Sequence, residues 1–325
     1  MNSLTAIAAL LTASLLLPAS TDPSIQELLT AARQQASLFY HQSSPFQLEV
    51  DFLAQMNVPV QGHLTLKWEA ERRWWRRVVM DNFEQVEILD GDKHYTARNL
   101  SFTPIRIGEL FSLLQLTDGS DVLMAKKIKQ GIENGIEVTC VKVEPTSVKG
   151  KPHEVCINPI SREVLSDDWQ EPPDEHRTET YTDYFDFAGH RYPRKLQLLV
   201  NGSRVITANV ESLAPATFDR TLLVPPAGAV ERRQCPDMKH PVPIRTPDPA
   251  YPKSASQNRL TGDTTVAMTI LADGSVTDIH IVGSAVRSMD DSTLQTLKSW
   301  RFKPAMCGAE PVVSDIKVVV SFRLR

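Results

Sequence analysis

Pro249-Ala250-Tyr251-Pro252 opens the stretch that decides the reading of this chain. Behind it come Leu260-Thr261-Gly262, an alternating apolar run, Ala272-Asp273-Gly274-Ser275-Val276, a second alternating run, a short helical pattern and Trp300-Arg301-Phe302-Lys303-Pro304-Ala305. Gly308, Pro311-Val312-Val313 and a last apolar run to Ser321-Phe322-Arg323-Leu324 complete it. Val266, Met268 and Ile270 point to one side of a strand and Thr265, Ala267 and Thr269 to the other, because successive strand side chains alternate. Asp273-Gly274 is a turn pair, since glycine accepts positive φ without a Cβ clash. Val276 to Val282 returns as the second strand. Asp290 or Asp291 is expected to cap a helix carrying Leu294 and Leu297. Val313, Ile316, Val318, Val320 and Phe322 belong to a third strand. The expected unit is β-β-α-β, one helix covering one face of a small antiparallel sheet.

These residues resemble the C-terminal domain of TonB, the periplasmic partner of outer-membrane transporters. The resemblance rests on Tyr251-Pro252, Gly262, Asp273-Gly274-Ser275-Val276, Trp300-Arg301-Phe302-Lys303-Pro304 and Gly308 with Pro311-Val312, in that order and spacing. It implies that the last strand, Ile316, Lys317, Val318, Val319, Val320, Ser321 and Phe322, receives a transporter peptide by strand addition. The residues themselves agree: the first two strands pair with each other, so the third has a side to spare. Its guards are Asp315, Lys317, Arg323 and Arg325, with no Pro or Gly inside the strand. The long Pro-Lys or Pro-Glu rod of TonB has no counterpart here, which puts energy transduction in doubt.

The remainder of the 325 residues is enough for a second ordinary domain. A hydrophobic content of 42% and a charged content of 23% are those of a folded protein. The net charge of -4 gives no reason to expect nucleic acid as a partner. Residues 1–20 read as a secretory signal, with an apolar run from Ile7 to Leu17 too short to span a bilayer. That segment has no Lys or Arg, so an uncleaved anchor stays open beside cleavage. Either way the expected location is periplasmic, where disulfides form.

Ile25, Leu28, Leu29, Ala32, Ala36 and Phe39 fall on one helical face, with Ser24 or Asp22 as cap. Phe46 to Phe52, Leu64 to Trp68, Glu71 to Met80, Phe83 to Leu89 and His94 to Asn99 read as a meander. Ile107 to Leu116 looks helical, and Val122 to Ile128 could be helix or strand. Gly135 to Val143 and His153 to Ile157 face each other. Tyr181 to Phe187, a Gly189-His190 turn, Arg191 to Val200, an Asn201-Gly202 type I′ turn and Arg204 to Leu213 form a second meander. So many long strands suggest a curved antiparallel sheet wrapped around helices. The Trp-Arg-rich hairpin, Asp81-Asn82-Phe83 and the run Tyr181 to Pro193 are similar to the LolA/LolB-type lipoprotein-carrier fold, an unclosed barrel. The overall class is therefore α+β. A half-barrel is expected at 22–226, a Pro-rich strap at 227–248 and the TonB-like domain at 249–325. The thirteen residues from His240 to Pro252 reach only about 40 Å at about 3.1 Å each.

Chemistry is sparse. The sequence has no Gly-x-Ser-x-Gly, phosphate loop or His-Glu-x-x-His. No catalytic residue, metal ligand or cofactor is assigned. Asp183 and Asp186 should point to opposite faces unless a bulge intervenes, and His280 should face solvent. Arg72, Arg73, Arg76 and Arg77 around Trp74 and Trp75 could meet a lipid headgroup, or simply cover apolar surface with their stems. Cys140 and Cys156 lie on facing strands, Cys235 lies just before the C-terminal domain and Cys307 in its Pro304 to Gly308 turn, so the pairs Cys140–Cys156 and Cys235–Cys307 are expected. Two functions compete: a non-enzymatic module that binds an outer-membrane transporter or other envelope protein, or a carrier of lipid or lipoprotein in the half-barrel.

Overall fold

The computed structural model describes residues 23–39, 44–56, 58–116, 123–133, 135–145, 152–171, 175–231, 235 and 237–324. The expected signal segment, including the candidate cap Asp22, lies outside the described residues.

Helix α1 (Pro23–Ala36) precedes β1 (Phe46–Gln55), β2 (Pro59–Ala70), β3 (Arg73–Met80), β4 (Phe83–Asp90) and β5 (Lys93–Arg98). After α2 (Ile105–Leu113) come β6 (Leu123–Glu133), β7 (Ile136–Pro145), β8 (His153–Ile157), β9 (Val164–Glu171), β10 (Glu175–Phe187), β11 (His190–Val200) and β12 (Ser203–Pro215). With β13 (Val230–Glu231) these form one 13-stranded antiparallel sheet in the order β13-β5-β4-β3-β2-β1-β12-β11-β10-β9-β8-β7-β6. The pairing of β1 with β12 joins the two meanders into one surface. The edge strands β13 and β6 do not pair with each other, so the sheet is unclosed.

Curvature follows from α1. Its 14 residues span about 21 Å. It touches β11, β9 and β6, yet β11 and β6 stand five places apart, roughly 24 Å of flat sheet. One short helix reaches both only if the sheet curls around it. Gln26 accepts a hydrogen bond from the Ala125 backbone N–H on β6 at 3.1 Å, and Gln35 donates to Ser161 O at 3.0 Å. α2 lies against β12, β1 and β11, and Tyr192 donates to Leu114 O at 2.6 Å just beyond its end. The concave face is filled: Leu29, Leu48, Leu64, Ile107, Leu110 and Leu113 are all essentially without solvent contact.

Several local readings shift. α1 starts at Pro23, one residue before the expected cap position Ser24. Val122 lies outside the described residues, and the rest of the Val122 to Ile128 run, expected as helix or strand, belongs to the strand Leu123–Glu133; Val164–Glu171 is an additional strand. The turn after Phe187 uses Ala188 (φ 50°) and Gly189 (φ 86°), not Gly189-His190. Asn201 (φ 49°) and Gly202 (φ 75°) have the two positive φ values a type I′ turn needs.

The C-terminal part contains β14 (Val242–Arg245), α3 (Lys253–Gln257), β15 (Gly262–Ile270), β16 (Val276–Gly283), α4 (Arg287–Leu297), β17 (Arg301–Lys303), β18 (Ala305–Cys307), β19 (Glu310–Val312) and β20 (Ser314–Phe322). Its main sheet has the order β16-β15-β20. The simple β-β-α-β plan is elaborated: three short strands stand between α4 and β20, and β14 from the Pro-rich strap pairs with β17. Trp300 Nε1 donates to Pro247 O at 3.0 Å and Ser292 to Ala250 O at 2.7 Å, fastening the strap to this domain. α4 begins three residues earlier than its expected cap, after Val286, with no side-chain cap. Asp290 is instead buried in the first turn, accepting hydrogen bonds from Thr264 at 2.8 Å and from Ser284.

Gly274 (φ 80°) is required twice over. A Cβ there would meet Phe302 O at 1.9 Å, because Phe302 N–H donates to Gly274 O at 2.9 Å. The Asp-Gly turn and the Trp-Arg-Phe run are thus one packed junction. Both expected disulfides form, Cys140–Cys156 across β7 and β8 and Cys235–Cys307 between the strap and β18.

Candidate functional site

β20 is the feature on which the site is built. It pairs with β15 through nine consecutive register positions, from Gly262↔Phe322 to Ile270↔Ser314, without a bulge. Its other edge has no strand partner among the described residues. The opposite edge of this sheet is different in kind. β16 pairs with β15 through two register irregularities, and Asp278 within it has φ 47°. Bulges blunt an edge against further pairing. β20 is therefore the regular, unblunted edge.

The two faces of β20 have separate duties. Ile316, Val318 and Val320 join the cluster of Val266, Met268, Ile270, Leu297, Trp300 and Phe302 beneath α4. Phe322 packs with Met289, Ala255 and Tyr251, its ring 5.6 Å from that of Tyr251. Asp315, Lys317, Val319 and Ser321 alternate onto the other face, where Val319 is 43% exposed.

That second face sits on the half-barrel. Ala267 and Val282 are buried in the large N-terminal core. Asp278 accepts a hydrogen bond from Ile105 N–H at the start of α2 at 2.8 Å, and Asn201 donates to Val282 O at 2.8 Å. Lys317 pairs with Glu171 and, at 2.9 Å, with Glu175. His280 is therefore buried rather than solvent-facing, its Nε2 2.7 Å from Asp278. The half-barrel covers the face that a single strand pattern would leave wet.

Between the domains lies a cavity of about 440 Å3, lined by Arg76, Gln85, Glu109, Trp169, Arg177, Glu179 and Asp315 among others. Arg177 bridges Glu109 at 2.7 Å and Glu175 at 2.8 Å. Burial alone would raise the Glu109 carboxyl, but Arg106 and Arg177 outweigh it and hold it below the ordinary carboxylate range. Glu179 goes the other way. Burial, then the neighbouring Asp167, push it up to about 7 against the hydrogen bond from Tyr181. Burial, then Asp278 and Glu109, raise Asp315 against the hydrogen bond it accepts from Thr269 at 2.7 Å.

Of the other expected sites, the arginine patch resolves into cross-strand ion pairs: Arg72 with Asp92, Arg73 with Glu69 and Asp90, Arg76 with Glu87, Arg77 with Glu84. Asp183 (φ 58°) interrupts β10, which leaves both it and Asp186 exposed, and Asp186 pairs with Arg191 at 3.1 Å. The only metal-ligand grouping among the described residues is Glu133 with Cys140 and Cys156, and those cysteines are in a disulfide. Sequence reasoning missed the interdomain charges. Their one signal was the row Glu175-x-Arg177-x-Glu179-x-Tyr181, a single strand face carrying charge where a solvated face or a paired network is required.

Residues 247–324 match the family described as Gram-negative bacterial TonB protein C-terminal. The TonB protein of Pseudomonas aeruginosa is 30% identical over 83 residues, 25% of this chain and 24% of that protein. The chain thus spans about a quarter of the curated relative it matches. The solution structure of the Pseudomonas aeruginosa TonB C-terminal domain is 32% identical, covering 27% of this chain and 88% of that one, with a TM-score of 0.23. The N-terminal part has LolA-superfamily neighbours. One, from Nitrosomonas europaea, is 10% identical and covers 60% of this chain and 97% of its own, with a TM-score of 0.43.

Proposed function

We propose that this protein is a non-enzymatic periplasmic binding module whose β20 edge takes up an extended peptide by strand addition. The peptide belongs to an outer-membrane transporter or another envelope protein. The observation that carries this reading is the contrast between the two edges of the C-terminal sheet. β20 offers nine regular residues with an edge unpaired among the described residues, while β16 is bulged. Main-chain groups along such an edge supply affinity, and alternate side chains supply selectivity. The match of residues 247–324 to the TonB C-terminal family supports the same edge. The half-barrel then acts as a rigid mount. Its concave face is filled by α1 and α2, which supports this role over that of a carrier holding an acyl chain.

Two proline substitutions test the reading, because adjacent N–H groups of a strand point to opposite edges. One of Val318→Pro and Val319→Pro should leave the domain folded by circular dichroism and abolish binding of envelope-derived transporter peptide. The other should break the ladder to β15 and unfold the domain. Wild-type affinity in the proline variant that stays folded removes β20 as the site.

A further inference from the structure

The interdomain cavity has an unbalanced charge inventory. Its two lining arginines are already committed. Arg76 pairs with Glu87 and lies 3.3 Å over the Phe111 ring. Arg177 is held by Glu109 and Glu175 and approaches Glu171 at 3.8 Å. Arg106 is held by Glu109 at 2.6 Å, and Lys317 is taken by Glu171 and Glu175. Glu179, 8% exposed, lines the same cavity with only the Tyr181 hydroxyl donating to it, and Asp315 stands at the open rim with only Thr269. Neither carboxylate has an ion-pair partner among the described residues. An isolated buried carboxylate is costly, and the cost is relieved by a cation or by protonation.

A second, independent observation lies in the wall of the same space. Gln85 is 1% exposed and lines the cavity. Its Oε1 accepts a hydrogen bond from Thr103 at 2.6 Å, and the same Thr103 hydroxyl accepts from Arg98 at 3.1 Å. Its Nε2 has no hydrogen-bond partner. A buried amide donor without a partner costs about 1–3 kcal/mol, so a bound acceptor there is favoured.

We propose that this cavity binds a small organic cation, a primary ammonium or guanidinium group with a hydrogen-bond-accepting oxygen a few bonds away. The cationic end lies between Glu179 and Asp315, and the oxygen accepts from Gln85 Nε2. The spent arginines leave nothing to hold an anion. No three metal-ligating groups converge at this cavity among the described residues, so an organic cation fits the donors better than a metal ion. A volume of about 440 Å3 suits a ligand of this size. Because Asp315 is on β20, occupancy would tie the half-barrel to the edge strand, but binding of the cation does not depend on peptide addition there.

The test is calorimetric titration of the full chain with ethanolamine, L-lysinamide and L-argininamide, beside propionamide and glycolate as neutral and anionic counterparts. At least one cation should bind with a Kd below about 1 mM, with both counterparts at least about tenfold weaker. Glu179→Gln and Asp315→Asn should each weaken that cation about tenfold or more. Asp315 is at the rim, so Asp315→Asn keeps the test decisive if Glu179→Gln does not fold. Failure of all three cations to reach that affinity overturns the proposal. So does equal binding of the counterparts, or unchanged affinity in the folded variants.

Discussion

Asp278 of the C-terminal sheet caps α2 of the half-barrel: its Oδ2 accepts the Ile105 N–H at 2.8 Å while its Oδ1 lies 2.7 Å from His280 Nε2. A helix N-terminus has orphan N–H groups and a positive dipole end, and α2 has no cap from its own Pro104. The acceptor is supplied across the domain boundary, 173 residues further along the chain. Asp278→Ala should therefore destabilise the whole protein by about 1–3 kcal/mol in urea unfolding, since a cap, a histidine partner and a residue tolerant of φ 47° are lost together. Asp278→Asn, which tolerates that φ and can still accept, should lose about half as much or less. Equal, negligible effects would mean that the domains do not depend on this contact.

Glu179 makes stability depend on pH in a defined sense. Its folded value is raised to about 7, above its unfolded value near 4.5. Between those values the unfolded chain has released the proton and the folded protein has kept it, so stability falls as pH rises through this window. Above pH 7 the penalty is complete, and below pH 4.5 it is absent. Glu179→Gln should be close to neutral in urea unfolding at pH 4.5 and stabilising by on the order of 1–3 kcal/mol at pH 8. A variant that destabilises equally at both pH values would show Glu179 to be paired and ionised.

Gly274→Ala should cost at least about 2 kcal/mol in unfolding experiments. Positive φ disfavours any Cβ by about 1 kcal/mol, and here the added atom would also strike Phe302 O. Gly91→Ala is the control, with φ 62° but nothing within 4 Å of the added atom, and should cost about 1 kcal/mol. Equal losses would place the whole effect in backbone conformation.

The two disulfides should differ in weight. Cys140–Cys156 closes a 16-residue separation and Cys235–Cys307 one of 72. Loop-closure entropy assigns about 3 kcal/mol to the first and about 4 kcal/mol to the second. Paired Cys→Ser variants measured by urea unfolding should follow that order, and the Cys235/Cys307 variant should also expose the strap to protease first. A larger loss from Cys140/Cys156 would reverse the assignment.

Local chemistry made much of this protein readable from its residues alone. Alternation in Val266, Met268 and Ile270 determined which face of β15 goes under α4. The pairs Asp273-Gly274 and Asn201-Gly202 determined turns, because few residues accept positive φ. The spacing of Ile25, Leu29, Ala32 and Ala36 determined the buried side of α1. The pair Cys140–Cys156 followed from which strands face each other. All of these are relations within a few residues or between sequential strands. What lay outside that range was decided by tertiary structure. The β1–β12 pairing, the burial of His280, the cap on α2 from Asp278 and the charge network around Arg177 all join segments far apart in the chain. A strand pattern states that a face is polar; it does not state what covers that face. His280 reads as solvated, and it became part of an interface with Lys317 because the half-barrel presents Glu171, Glu175 and the start of α2 opposite that face.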